Sequence, residues 1–392
     1  MSPFAAGTIG GAVVVVGLAR ALRGRFYAVF SAVLLTVHGL AACALFPHVG
    51  ALAPAFVALH ATLYINLLSL VWARPRPLAF RLLVSWPSAV FAAGTFVALP
   101  WAVAVTAGAA PRLLWLPYVV AALGFVDTWC PRRSVVRVAI DGRDAGGLAR
   151  ARPSRAELER PLRLAQLTDT HLGPFQSPAR LRRIVERLVA SRPDLALLTG
   201  DFLTMETHAS EAELAYALAP LRALPGRAFA CRGNHDLEAP RTVAGALAAA
   251  GVRLLIDEAE VVETPAGRVQ IVGLDYHLRD RAARIARALE AFPREPGALR
   301  LVLLHHPGSF SLVPDGDADL VLSGHTHGGH VGLVSLGLPL TVLGLLSRIP
   351  DHGLWARGKN RLYVHRGTGH YGFPIRLGVP AEESVLEVEW CA

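Results

Sequence analysis

Up to residue 131 the chain is written almost entirely in long apolar runs, at 4–19, 26–46, 51–73, 82–105 and 113–130, and Asp127 is the only Asp, Glu, Lys or Arg inside them. Hydrocarbon offers no partner for a peptide N–H or C=O, so a run near the ~20 residues that span a bilayer must satisfy its backbone internally, as a helix. About five transmembrane helices are therefore expected, in an all-α membrane region over residues 1–137. The first run is short and contains glycines, which makes it the weakest. It lacks the basic start of a cleaved signal segment, so it reads as retained. Of the 392 residues 53% are hydrophobic, and the excess lies in this first third.

Arginine placement orients the runs. Arg20, Arg23 and Arg25 separate the first two, Arg74, Arg76 and Arg81 separate the third and fourth, and Arg132, Arg133 and Arg137 follow the fifth. The alternate connections hold only Arg112. Basic loops stay cytoplasmic, so the expectation is a multi-pass protein of a cell inner membrane, with the N-terminus outside and the remaining domain in the cytoplasm. The lipid bilayer is then a partner, and the basic flanks attract anionic headgroups. Pro87 and Pro100 are expected to kink the fourth helix. Asp127, near the inner end of the fifth run, reads either as an intramembrane functional carboxylate or as a capping or snorkelling group at the interface.

The formal net charge of +9 does not argue for nucleic acid. Lys359 is the sole lysine among 39 basic residues, a compositional habit, and much of the surplus is the loop arginine already assigned. No nucleic-acid partner is expected, and no protein partner is inferable. Cys43, Cys130, Cys231 and Cys391 form no CxxC pair, so neither a zinc module nor a disulfide framework follows.

A Gly-, Arg- and Ala-rich stretch, taken as a linker over 138–161, leads into a domain at 162–392. There, short apolar runs alternate with helical patterns at 178–190, 210–223, 241–250 and 279–292, the signature of an α/β domain. Five of the apolar runs end in polar clusters: Asp169-Thr170-His171, Gly200-Asp201, Gly233-Asn234-His235-Asp236, His305-His306-Pro307 and Gly324-His325-Thr326-His327-Gly328-Gly329. In an extended backbone residues i and i+2 share a face, which would put Asp169 and His171 together and His305 and His306 apart. A lone histidine beside a strand is ordinarily a core or loop residue. Five such clusters on successive strand ends argue for one crevice, because ligands of open α/β sheets gather at the carboxyl ends of strands.

Asp169-x-His171, Gly200-Asp201, Gly233-Asn234-His235-Asp236, His305 and Gly324-His325-x-His327 resemble, in order, spacing and residue type, the motif series of the calcineurin-like metallophosphoesterase superfamily. The resemblance covers roughly residues 163–389. It implies a four-layer α/β/β/α sandwich with two mixed sheets. It also implies two divalent metal ions, one held by Asp169, His171 and His327, the other by Asn234, His305 and His325, with Asp201 bridging. A carboxylate has two oxygens for two ions, whereas Asn234 offers one neutral carbonyl, which agrees with that bridge. The mixed N/O donor set suits Mn²⁺, with Fe or Zn²⁺ as alternatives, better than Ca²⁺ or Mg²⁺. Two such ions clamp the attacking and leaving oxygens of a phosphoester and acidify water near neutral pH. His235 is positioned by the motif to act as general acid.

Asp236 reads either as support for His235 or a ligand histidine, or as a group facing water, with the balance toward water. His330 stands where related sequences often carry glutamine, which bears on substrate contacts rather than on metal. The tail, Arg366-Gly367-Thr368-Gly369 and Phe373-Pro374-Ile375-Arg376, is similar to that of membrane-associated bacterial metallophosphoesterases, among them enzymes resembling UDP-2,3-diacylglucosamine pyrophosphatase. Arg366 or Arg376 would then grip a phosphate, or else form a structural ion pair. The apolar stretch 331–346 reads either as an insert for the membrane interface or acyl chains, or as a core strand with a loop. The expected activity is hydrolysis of phosphodiester, phosphomonoester or pyrophosphate bonds, of a lipid-linked or nucleotide-sugar substrate. The alternative is a non-catalytic membrane sensor or scaffold.

Overall fold

The structure is a computed structural model that describes residues 1–110, 112–154, 161–372 and 375–390. The side chain of Asp127, Phe373 and Pro374 of the tail motif, and Cys391 lie outside the described residues. The chain divides into two compact units, one of residues 1–127 with 205–207 and 372–375, the other of 128–204, 208–371 and 376–392.

In the first unit four helices among the described residues are long and apolar enough to cross a membrane: Pro3–Leu22, Arg25–His48, Gly50–Ser69 and Leu78–Val97. The weakest of the expected spans is a full 20-residue helix, started by Ser2, whose Oγ accepts from the Ala5 N–H at 3.2 Å. Gly24, at φ 122°, turns the chain into the second helix. The expected fifth span is corrected. Leu116–Asp127 has 12 residues, about 18 Å at 1.5 Å per residue, short of a ~30 Å hydrocarbon core. The fourth is shifted as well, because the helix stops at Val97 and a separate one, Leu99–Thr106, begins with Pro100 in its first turn. A proline has no N–H for the i−4 carbonyl, so it starts a helix more readily than it continues one. Ahead of Pro87 the backbone widens into a π-turn over Arg81–Ser85, another way of accommodating a proline ring.

Thirteen strands lie in the second unit among the described residues. In chain order they are β1 Arg132–Ile140, β2 Ala149–Arg150, β3 Leu162–Leu167, β4 Leu195–Leu198, β5 Ala228–Ala230, β6 Arg253–Leu254 and β7 Glu258–Thr264. Then follow β8 Gly267–Gly273, β9 Leu299–Leu303, β10 Leu320–Ser323, β11 Gly353–Arg357, β12 Asn360–Val364 and β13 Glu382–Trp390. They form a six-stranded sheet, β1-β13-β3-β4-β5-β6, and a seven-stranded sheet, β2-β11-β12-β10-β9-β8-β7. Leu164, Leu195, Leu197 and Phe229 of the first meet Ile271, Leu301, Leu303 and Leu322 of the second in a buried layer between the sheets.

Helices cover the outer faces. Pro178–Ala190 turns Leu181, Ile184, Val185 and Leu188 inward at helical spacing onto Ala165, Ala196 and Leu198, while Arg281–Ala291 sets Ile285 and Leu289 against Val302 and Val321. The result is the expected α/β/β/α sandwich, built on both faces because the central strands are apolar on both sides. The helices expected at 178–190, 210–223, 241–250 and 279–292 are present, the second ending in a 3₁₀ turn over Ala219–Ala223.

The expected linker boundary does not hold. β1 pairs in parallel with β13 and β2 pairs with β11, so residues from Arg132 onward belong to the sheets. The sequence reads Arg132, Arg133 and Arg137 as a membrane flank, yet all three lie on β1, whose Val136, Val138 and Ile140 pack onto the inter-sheet layer. Arg133 and Arg137 pair instead with Glu383 and Glu387.

Beneath this edge Glu382 is buried, accepting from the Arg366 N–H and Nε at 3.1 and 3.0 Å and from the Tyr363 hydroxyl. Burial alone would raise its pKa, but Arg366, His365 and Tyr363 outweigh burial and hold it well below the ordinary 4.5. A depressed carboxylate gives stability that is present above the unfolded value and lost as pH falls toward the folded one. Wild-type protein is thus expected to lose stability below about pH 4.5 in denaturant titrations, and Glu382→Gln to flatten that dependence at lower overall stability. An unchanged acid limb in the variant would count against this role.

The stretch after the last metal-type cluster is neither core strand nor buried loop. It folds back through an antiparallel bridge between Gly332 and Thr341, closes with the short helix Val342–Leu346, and exposes Leu333, Leu336, Leu338, Leu340, Val342, Leu345 and Leu346.

Candidate metal centre

All five polar clusters emerge at the carboxyl ends of β3, β4, β5, β9 and β10, which are contiguous in their two sheets. The backbone there is not extended. Asp169, His171, Asp201, His325 and His327 all have φ between 41° and 71°, the left-handed region. Five non-glycine residues in that region at one place are costly, about 1–3 kcal/mol each, and such strain collects where side chains must be aimed. The i, i+2 argument for Asp169 and His171 therefore reached the right grouping through the wrong backbone. Glycines make the approach feasible. A Cβ on Gly233 would meet Asp201 Oδ1 at 2.2 Å, and one on Gly324 would meet Asp169 Oδ2 at 2.2 Å.

Two groups of side chains converge. Asp169, His171 and His327 are buried, with donor atoms all within 4.8 Å of one another, and so are Asp201, His305 and the half-buried His325. Asp201 lies between them, its Oδ2 3.1 Å from His305 Nε2 and 3.8 Å from His171 Nε2. Ring orientation is fixed from outside. His305 Nδ1–H donates to the Thr199 carbonyl at 2.6 Å and His171 Nδ1–H to that of Leu203 at 3.4 Å, so each turns its Nε2 toward the site.

Burial, the largest influence on both, pushes His171 down to about 3 and His325 to about 2, so these imidazoles keep a free lone pair. In His305 burial is outweighed by the carboxylates of Asp201 and Asp169, which lift it to about 9 and hold a proton where a cation would compete.

The donor set fits metal. Among the described residues nothing donates to the buried Asn234 Oδ1, a loss of about 1–3 kcal/mol unless something electropositive meets it. The Nε2 atoms of His171 and His327 lie 3.2 Å apart, within hydrogen-bond distance, in the group that Asp169 completes.

His235 stands beside the groups rather than in them. Its N–H donates to Asp201 Oδ1 at 2.9 Å, its ring packs 5.4 Å from that of His171 and 4.2 Å from that of Tyr371, and its Nδ1 lies 3.2 Å from Glu238 Oε1. Burial lowers its pKa, but Glu238 and Asp201 outweigh this and the net shift is upward, toward the protonated form.

Asp236 corrects the sequence reading outright. It does not face water: fully buried, it accepts from the N–H groups of Asp201, Phe202 and Gly233 at 2.8, 2.9 and 2.7 Å, tying the second cluster to the third. His306 and His330 lie outside both groups, although their rings approach those of His325 and His327 at 4.5 and 5.2 Å. Arg366 is an ion-pair residue, bound to Glu382. Arg376 is buried against the His327 and Gly369 carbonyls and His327 Nδ1, at 3.2, 2.8 and 3.1 Å, so it braces the metal loop from behind. Sequence reasoning missed Glu238, Tyr371 and this bracing role. Glu238, three residues from His235, could have been read from its spacing; Tyr371 carried no signal.

Residues 162–329 match the calcineurin-like phosphoesterase family. The phosphodiesterase YaeI of Escherichia coli is 31% identical over 233 residues, which cover 58% of this chain and 82% of that protein. A zebrafish (Danio rerio) transmembrane protein with metallophosphoesterase domain is 30% identical over 237 residues, 56% of this chain and 52% of that one. An uncharacterized metallophosphoesterase of Helicobacter pylori is 29% identical over 239 residues, 59% and 61% of the two chains. The chain thus spans about half to three fifths of the length of the latter two. With its two groups of donors on five strand ends and this likeness along the same residues, the chain belongs to the calcineurin-like phosphoesterases, as a metal-dependent phosphoesterase.

Proposed function

We propose that this chain is a membrane-anchored dimetal phosphoesterase acting on a lipid-linked or nucleotide-sugar phosphodiester, phosphomonoester or pyrophosphate. The observation that carries the metal assignment is the convergence of the two donor groups, Asp169, His171 and His327 and Asp201, His305 and His325. Asp169, His171 and His327 would hold one divalent ion and Asn234, His305 and His325 the other, with Asp201 serving both, and Mn²⁺ would be the first choice, Fe or Zn²⁺ next. Such a pair supplies Lewis acidity and a water-derived nucleophile at neutral pH. The protein's part is to aim and protonate. Asp236 holds the Asp201 and Gly233 turns in register, and Thr199 and Leu203 set the imidazole tautomers. His235, whose pKa Glu238 helps to raise, gives its proton to the leaving oxygen.

Four membrane-length helices, and a relative named as a transmembrane protein, support anchoring of the chain in a bilayer. The arginine-rich connections at 20–25 and 74–81 favour the cytoplasmic side for those two loops. A lipid-linked substrate is favoured by the insert after the metal loop, where Leu336, Leu345 and Leu346 are 75, 73 and 82% exposed, more apolar surface than a water-facing loop sustains without use.

Purified protein with Mn²⁺ is expected to hydrolyse at least one of bis-p-nitrophenyl phosphate, p-nitrophenyl phosphate and UDP-diacylglucosamine, and turnover of none of them would sink the enzyme reading. Changing Leu338 and Leu340 to serine should cut turnover of the diacylated substrate about tenfold while sparing the chromogenic esters. An equal loss on both kinds would remove the apolar insert from substrate binding.

A further inference from the structure

A cationic group stands beside the Asp201, His305 and His325 donors that the reaction as described does not use. Tyr276, three residues past β8, sets its ring 6.1 Å from that of His305 and 6.5 Å from that of His325. Arg281, the first residue of the helix Arg281–Ala291, lays its guanidinium 5.1 Å over the Tyr276 ring. Its fork is held by neutral acceptors. Nε donates to the His277 carbonyl at 3.1 Å and Nη1 to Ser309 Oγ at 3.2 Å, and Ser309 lies in the turn Pro307–Leu312 that directly follows His305-His306.

The neighbouring arginine makes the contrast. Arg232 is bound at two points to Asp275, at 2.7 and 2.5 Å, which neutralises it. Among the described residues no carboxylate pairs with Arg281, and Tyr276 and Arg281 are both half-buried. A guanidinium whose plane is fixed by a ring beneath it and by two bonds, yet lacks an anion, presents its remaining N–H groups as a ready oxyanion fork.

We propose that Arg281, seated on Tyr276, is a specificity residue that binds a second phosphate of the substrate, next to the phosphate held at the Asp201 centre. The substrate class is then one with two linked phosphates, a pyrophosphate-bridged molecule rather than a simple diester. This rests on the phosphoesterase reading of that centre, so the two are tested by separate readouts.

Full-length protein in detergent, at fixed free Mn²⁺, is titrated calorimetrically with ADP and with AMP, which differ by one phosphate. Its hydrolysis of bis-p-nitrophenyl phosphate, which has a single phosphate, is measured apart. Wild type should bind ADP at least about tenfold more tightly than AMP, the size of one charge-assisted contact. Arg281→Gln should bring that ratio near one, Arg281→Lys should keep part of it, and Tyr276→Leu should reduce it. Turnover of the single-phosphate ester should stay within about threefold in Arg281→Gln, since the lost contact lies off that substrate. Equal binding of the two nucleotides by wild type, or a full ADP preference surviving in Arg281→Gln, overturns the proposal. Failure of wild type to hydrolyse the ester would fault the reading of the metal centre and leave the binding ratio to judge the subsite.

Discussion

Alanine at Asp201 is expected to lower hydrolysis of bis-p-nitrophenyl phosphate by about 10³-fold or more, the effect of removing several kcal/mol of transition-state stabilisation. The reason is its place in the site. One oxygen lies 3.1 Å from His305 Nε2 and 3.8 Å from His171 Nε2, and the other accepts the N–H of His235 at 2.9 Å. Both donor groups and His235 thus lose a shared anchor in one substitution. Asparagine keeps an acceptor for the His235 N–H but removes the charge, so Asp201→Asn should retain more folded stability than Asp201→Ala while losing activity nearly as far. Activity of Asp201→Ala within about threefold of wild type, with the fold intact by circular dichroism, would show that Asp201 does not join the two groups.

The second large effect is structural and lies at Asp236. Its carboxylate takes three main-chain N–H groups in a fully buried position, and truncation orphans all three at about 1–3 kcal/mol each. Asp236→Ala should lower Tm by roughly 10 °C, taking 2–4 °C per kcal/mol for a unit of this size. It should also weaken metal binding about 10- to 100-fold, since the turns carrying Asp201 and Asn234 lose their common tie. Asp236→Asn, which can still accept, should fall between. A melting temperature within 2 °C of wild type, by scanning calorimetry on the metal-free protein, would show the tie to be dispensable.

Strand and helix periodicity made the catalytic unit legible, because apolar strands that bury both faces and helices with a single apolar stripe leave plain patterns. Leu162–Leu167 and Pro178–Ala190 are of this kind. The same local logic failed where the deciding contact is distant in sequence. Arg132, Arg133 and Arg137 read as a membrane flank, yet they lie on a strand paired with β13, some 250 residues on, where Glu383 meets Arg133 and Glu387 meets Arg137. The run at 113–130 was apolar enough for a span, yet its helix occupies only Leu116–Asp127. Composition alone does not set where a helix begins.

At the site, residue types identified the metal-like donors, since few chemistries want Asp, Asn and several His at strand ends. What composition could not supply was the burial of Asp236, the bracing of His327 by Arg376, or the company of Tyr276 and Arg281. Each depends on loops from separate strands meeting in space.

The central claim is that seven side chains, Asp169, His171, Asp201, Asn234, His305, His325 and His327, make one two-ion site. Metal content of the full-length protein, loaded with Mn²⁺, desalted and measured by inductively coupled plasma mass spectrometry, tests it most directly. Two ions per chain are expected in wild type and about one in Asn234→Ala, which strips a donor from one group and leaves the other whole. A wild-type chain that retains one ion or none, or an Asn234→Ala chain that still retains two, would contradict it.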